Sequence, residues 1–69
     1  MSDTIAPEAR MGNDIARQFS HLPRERAVER IAAHLTRFWT PTMRRDLLAL
    51  VDADDPSVDP LLAAAASRL

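Results

Sequence analysis

The chain is predicted to be all-α, a small bundle of three main helices plus a short C-terminal helix. Apolar residues recur at spacings of three and four, as on one face of a helix. Pro7, Pro23, Pro41 and Pro60 stand just ahead of those periodic stretches, where the first turn of a helix tolerates proline. The alternation of β-branched and polar residues that marks a half-buried strand is absent.

The first helix is expected from about Pro7 to Ser20. Met11, Ile15, Phe19 and Leu22 line one face, while Arg10, Asn13 and Arg17 fall on the far side. Pro23 biases Leu22 away from helical geometry, so the helix stops before it. The second helix is expected to start at Pro23. Its apolar stripe is Val28, Ile31, Leu35 and Phe38, with Ala27, Ala32 and Trp39 at the margins. At ~100° per residue, Arg26, Arg30 and Arg37 project together from the opposite face. Thr40-Pro41 then supplies an N-cap followed by a first-position proline and opens the third helix. There Met43, Leu47, Leu50 and Val51 share a face, and Leu48 points elsewhere. The polar segment DADDPS reads as a loop. Asp59-Pro60 repeats the cap-plus-proline device and starts a terminal helix, LLAAAASRL.

Residues 1–69 are read as one domain. A chain this short buries only about 60% of the surface its unfolded form exposes, so its core is marginal without a staple or a partner. With no cysteine in the sequence, disulfides and thiolate ligands are excluded. No apolar run approaches the ~20 residues needed to span a bilayer. The opening MSDTIAPEAR lacks the basic and apolar regions of a signal peptide, so a cytoplasmic location is expected. A net charge of −1 argues against a molecule built for phosphate backbones. All nine basic residues are arginine. Arginine suits interfacial pairing better than lysine, although genomic base composition yields the same bias.

No constellation for catalysis emerges. His21 falls in a turn and His34 beside the apolar edge of the second helix, neither with a partner at ligand spacing. The segment DADDPSVDP lacks the glycine and the distal glutamate of a calcium loop. Neither a glycine-rich phosphate cradle nor a nucleophile elbow is present. Six arginines between Arg24 and Arg45 make that region locally positive, which leaves a small DNA-binding regulator, or a homodimeric helical adaptor, as the alternative reading. Self-association of the isolated chain stays open.

The most distinctive stretch is RFWTPTMRR. It concentrates tryptophan, phenylalanine, methionine and arginine, the residue types enriched at protein interfaces and their hot spots, around one helix break. Packing of Phe38, Trp39 and Met43 across the corner is one use for them; anchoring another protein is the other. The expected partner-binding set is Arg37, Phe38, Trp39, Pro41, Met43, Arg44, Arg45 and Leu48, with the alanine-rich last helix as a further apolar contact.

Arg10-Met11-Gly12-Asn13-Asp14-Ile15-Ala16, Phe19, Ala33-His34-Leu35, Phe38-Trp39, Pro41, Met43-Arg44 and Asp59-Pro60-Leu61 follow one another in an order and spacing that resembles the delta subunit of NAD-dependent, molybdenum-containing formate dehydrogenases. The resemblance covers nearly the whole chain, and its centre, Phe-Trp-x-Pro-x-Met-Arg, is the most specific part. Gly12 replaces a more common alanine and Thr42 a common arginine. The resemblance implies a non-catalytic accessory subunit that docks on the large alpha subunit and the wider complex. There the partner subunits carry the molybdenum cofactor, iron–sulfur clusters and FMN, and this chain binds no cofactor.

Overall fold

A computed structural model describes residues 5–69. They form four helices: α1 (Pro7–Gln18), α2 (Arg24–Phe38), α3 (Pro41–Asp52) and α4 (Pro60–Ala66), with no strand among the described residues. Pro7, Pro41 and Pro60 occupy first-turn positions, as the sequence predicts. Pro23 instead takes the N-cap position of α2, where its carbonyl accepts the first helical bond from the Ala27 amide at 2.9 Å.

Side-chain caps start the last two helices. Thr40 Oγ1 accepts from the Met43 amide at 3.1 Å, and Asp59 Oδ1 accepts from the Leu61 amide at 2.8 Å. The end of α3 is closed by backbone geometry. Asp54 adopts a φ of 55° and donates its amide to the Val51 carbonyl, while the Asp55 amide reaches back to Leu50. This is the paired closure in which a left-handed residue satisfies the last carbonyls of a helix; aspartate tolerates the position better than most non-glycine residues. The loop then tightens on Asp55, whose Oδ1 accepts from the Ser57 amide at 2.9 Å and the Ser57 hydroxyl at 2.7 Å. Those two bonds, the amide's first, hold its carboxyl below the usual 3.8.

One hydrophobic core joins all four helices: Ile15 and Ala16 from α1, Val28, Ile31 and Leu35 from α2, Leu47 from α3, Leu62, Ala65 and Ala66 from α4, and Trp39 from the α2–α3 junction. The shortest helix lies at its centre. α4 packs most extensively on α2 and also touches α1 and α3, whereas the consecutive helices α2 and α3 make few contacts with each other. Of the α4 alanines, expected to offer a further contact to a partner, Ala65 and Ala66 are instead buried in the core and Ala64 packs partly against it.

The face that α1 buries also differs from the predicted one. Ala9, Gly12 and Ala16 are buried and Phe19 packs at their edge, but Met11 is 41% exposed. Gly12 explains the rotation. An added Cβ there would lie 2.5 Å from Leu62 Cδ2, so the glycine is where the fully buried Leu62 meets the α1 backbone. Asn13, expected on the solvent side, fastens α1 to the α3–α4 loop. Its Nδ2 donates to the Ser57 carbonyl at 2.7 Å, and its Oδ1 accepts from the Asp59 amide at 2.9 Å.

Candidate functional site

The corner between α2 and α3 is made by two extended residues. Trp39 has φ −94° and ψ 146°, Thr40 has φ −72° and ψ 160°, and together they turn the chain out of α2 and into α3. Leaving helical geometry at Trp39 redirects its side chain. A helical wheel puts Phe38 in the apolar stripe and Trp39 at its margin; the structure reverses the two. Trp39 is 7% exposed and belongs to the core, while Phe38 is 66% exposed, the largest exposure among the large apolar side chains of the described residues.

Phe38 is flanked by two side chains of its own helix. The His34 ring lies 4.8 Å from it, centroid to centroid, with the planes tilted by 44°. The Arg37 guanidinium carbon sits 5.7 Å from its centroid, within cation–π range. The i,i+4 spacing of His34 and Phe38 is the sequence signal for this pair, which hydrophobic periodicity alone passes over.

Arg44 closes the corner from the α3 side. Its Nη1 donates to the Trp39 carbonyl and makes longer contacts, each 3.4 Å, with the carbonyls of Leu35 and Thr36. These carbonyls sit at the C-terminal end of α2 and its cap, where Leu35 already accepts the Trp39 amide at 3.1 Å, and a guanidinium there complements the negative end of the helix dipole. One nitrogen of Arg44, expected to meet a partner's carboxylates, thus has internal acceptors.

The rest of the predicted set divides by exposure. Arg37, Pro41 and Arg45 are exposed; Met43 and Leu48 are half-buried against the core. Among the described residues neither Arg37 nor Arg45 has a carboxylate oxygen within 4.0 Å, the two ion pairs being Arg17–Asp14 and Arg68–Glu25. The site is thus an exposed phenyl ring flanked by His34 and Arg37, with exposed Pro41 and Arg45 following in the corner and in α3. His21 is exposed and His34 half-buried, and no three His, Cys, Asp or Glu side chains of the described residues converge as a metal site. No pocket opens among these residues.

The model of a protein family described as NADH-dependant formate dehydrogenase delta subunit FdsD matches residues 9–66 of the chain. That span contains all four helices apart from the first two residues of α1. Neither a curated protein nor a solved structure gives a significant match.

Proposed function

This chain belongs to the family of NADH-dependent formate dehydrogenase delta subunits, and from that premise we propose that it is a non-catalytic accessory subunit that docks on the large molybdenum-bearing alpha subunit through the α2–α3 corner. The complex converts formate and NAD to CO2 and NADH, with the molybdenum cofactor, iron–sulfur clusters and FMN on the partner subunits. The donor set of this chain does not fit a cluster, since it has no cysteine to supply thiolate. Its contribution is to assembly, stability or activity of the larger assembly, in the cytoplasm.

The observation that carries this reading is the exposure of Phe38. A small chain gains little by leaving 66% of a phenylalanine in water when the neighbouring Trp39 is packed away. Transfer of that ring into a partner's recess contributes about 25 cal/mol per Å² removed from water, before ordering costs. Exposed arginines beside an aromatic anchor are the composition of binding hot spots. The test is to purify a tagged chain from its source under mild conditions. The molybdenum-bearing subunit should come with it, and deleting the chain should lower the yield or activity of that subunit. A chain that purifies without the complex, and whose deletion leaves formate oxidation unchanged, contradicts the reading.

A further inference from the structure

Beyond the corner, the solvent-facing side of α2 carries a ladder of charge. Arg26, Arg30 and Arg37 are all exposed. At ~100° per residue they lie within about 40° of one another in azimuth, and the eleven steps from first to last rise about 16 Å. The acidic residues of α2 are on the other flank, and Glu25 is paired with Arg68 at 3.2 Å. Among the described residues none of the three arginines has a carboxylate oxygen within 4.0 Å, although Glu29 stands only three positions from Arg26. Like charges four apart on a helix weaken it slightly, so this face is not arranged for the stability of α2. With a net charge of −1, the compensating negative charge lies elsewhere, much of it in Asp52 at the far end of α3 and Asp54 and Asp55 just beyond it.

We propose that Arg26, Arg30 and Arg37 form, with Phe38, one continuous docking face for an acidic protein surface: carboxylates beside an apolar recess that receives the phenyl ring. This rests on the docking reading above and assigns it a partner chemistry. Guanidinium groups bind carboxylates through paired, charge-assisted hydrogen bonds, and an unpaired row of them has no internal bond to break on association. The Arg37 guanidinium already lies by the Phe38 ring, which reduces the ordering cost where charge and ring meet. Duplex DNA fits the face less well. Three charges along one straight helix neutralise few phosphates, the molecule is negative overall, and a protruding phenyl ring has no counterpart on a phosphate backbone. A second copy could offer its acidic loop through a reciprocal two-fold contact, and sedimentation of the chain alone tests for it.

The test co-expresses tagged wild-type chain, the double variant Arg30→Glu/Arg37→Glu, Phe38→Ser and the control Arg17→Gln with the formate dehydrogenase complex. It measures the large subunit retained as wash salt rises, with circular dichroism on every purified variant. A short random-sequence duplex and sedimentation of the chain alone serve as comparison arms. All variants should keep wild-type helicity, because every altered side chain is exposed. The double reversal should cut retention at least ~10-fold at low salt and remove its salt dependence; Phe38→Ser should cut it at every salt, and Arg17→Gln should not. Retention of the double variant equal to wild type, at all salts, overturns this inference while the docking reading stands. Tight wild-type binding to the duplex, or to itself, that the reversal alone abolishes also overturns it. Failure of the wild-type chain to retain the complex sinks the docking reading and this inference with it.

Discussion

Two regions of this small molecule solve opposite problems. The α1–α4 seam is where Gly12, with Ala9 and Ala16 on the same buried face of α1, meets the fully buried Leu62 of α4. The α2–α3 corner gathers the largest side chains, buries one, and leaves another in water. At the seam helices approach because side chains are nearly absent. At the corner α2 and α3 make few contacts, the indole packs into the shared core, and Arg44 spans the break to three carbonyls. The seam is thus wholly buried, whereas the corner holds Trp39 in the core and leaves Phe38, the proposed anchor, in water.

The sharpest way to break that division is to truncate the two adjacent aromatics separately. Trp39→Ala should remove about 3–5 kcal/mol, the usual cost of emptying a buried aromatic site. Stability for this length is only about 3–10 kcal/mol, so much of the far-UV helical signal should disappear. Phe38→Ala should change unfolding by no more than about 0.5 kcal/mol yet reduce retention on the formate dehydrogenase complex. A next-largest effect is expected at the seam. Gly12→Val forces β-branched bulk onto Leu62 and should cost about 1–3 kcal/mol in urea titration, with binding by the surviving folded fraction intact. Arg44→Ala removes the closure of α2 and should cost about 1 kcal/mol, read as a lowered melting temperature. The smallest effect concerns Asp55. Its carboxyl is held below 3.8 in the folded chain, so its contribution is complete above that pH and is lost as pH falls through the folded value. Asp55→Asn should melt lower than wild type at neutral pH, and the difference should shrink in acid below 3.8.

Much of the fold was legible in the sequence because proline and caps punctuate it. Thr40-Pro41 and Asp59-Pro60 announce two helix starts, and both caps form as expected. The periodicity of α2 located Val28, Ile31 and Leu35 correctly in the core. Three things were not legible. A glycine has no hydrophobicity, so Gly12 could not reveal that α1 turns its smallest residue inward. An alanine run has no periodicity, so α4 gave no sign that it sits at the centre. A helical wheel assumes the helix continues, so it reversed Phe38 and Trp39, where extended backbone begins. Arg44 shows the same limit at the site: its family-like motif position marks it as important, but only the folded corner places it against the end of its own α2.

The central claim is that the corner holds Trp39 inside and Phe38 outside. Because Trp39 is the sole tryptophan, the emission of the purified chain reports on it directly. The account predicts a blue-shifted native spectrum that resists acrylamide quenching and shifts red only as helicity is lost in urea. A red, freely quenched indole in a chain with full native helicity would contradict it.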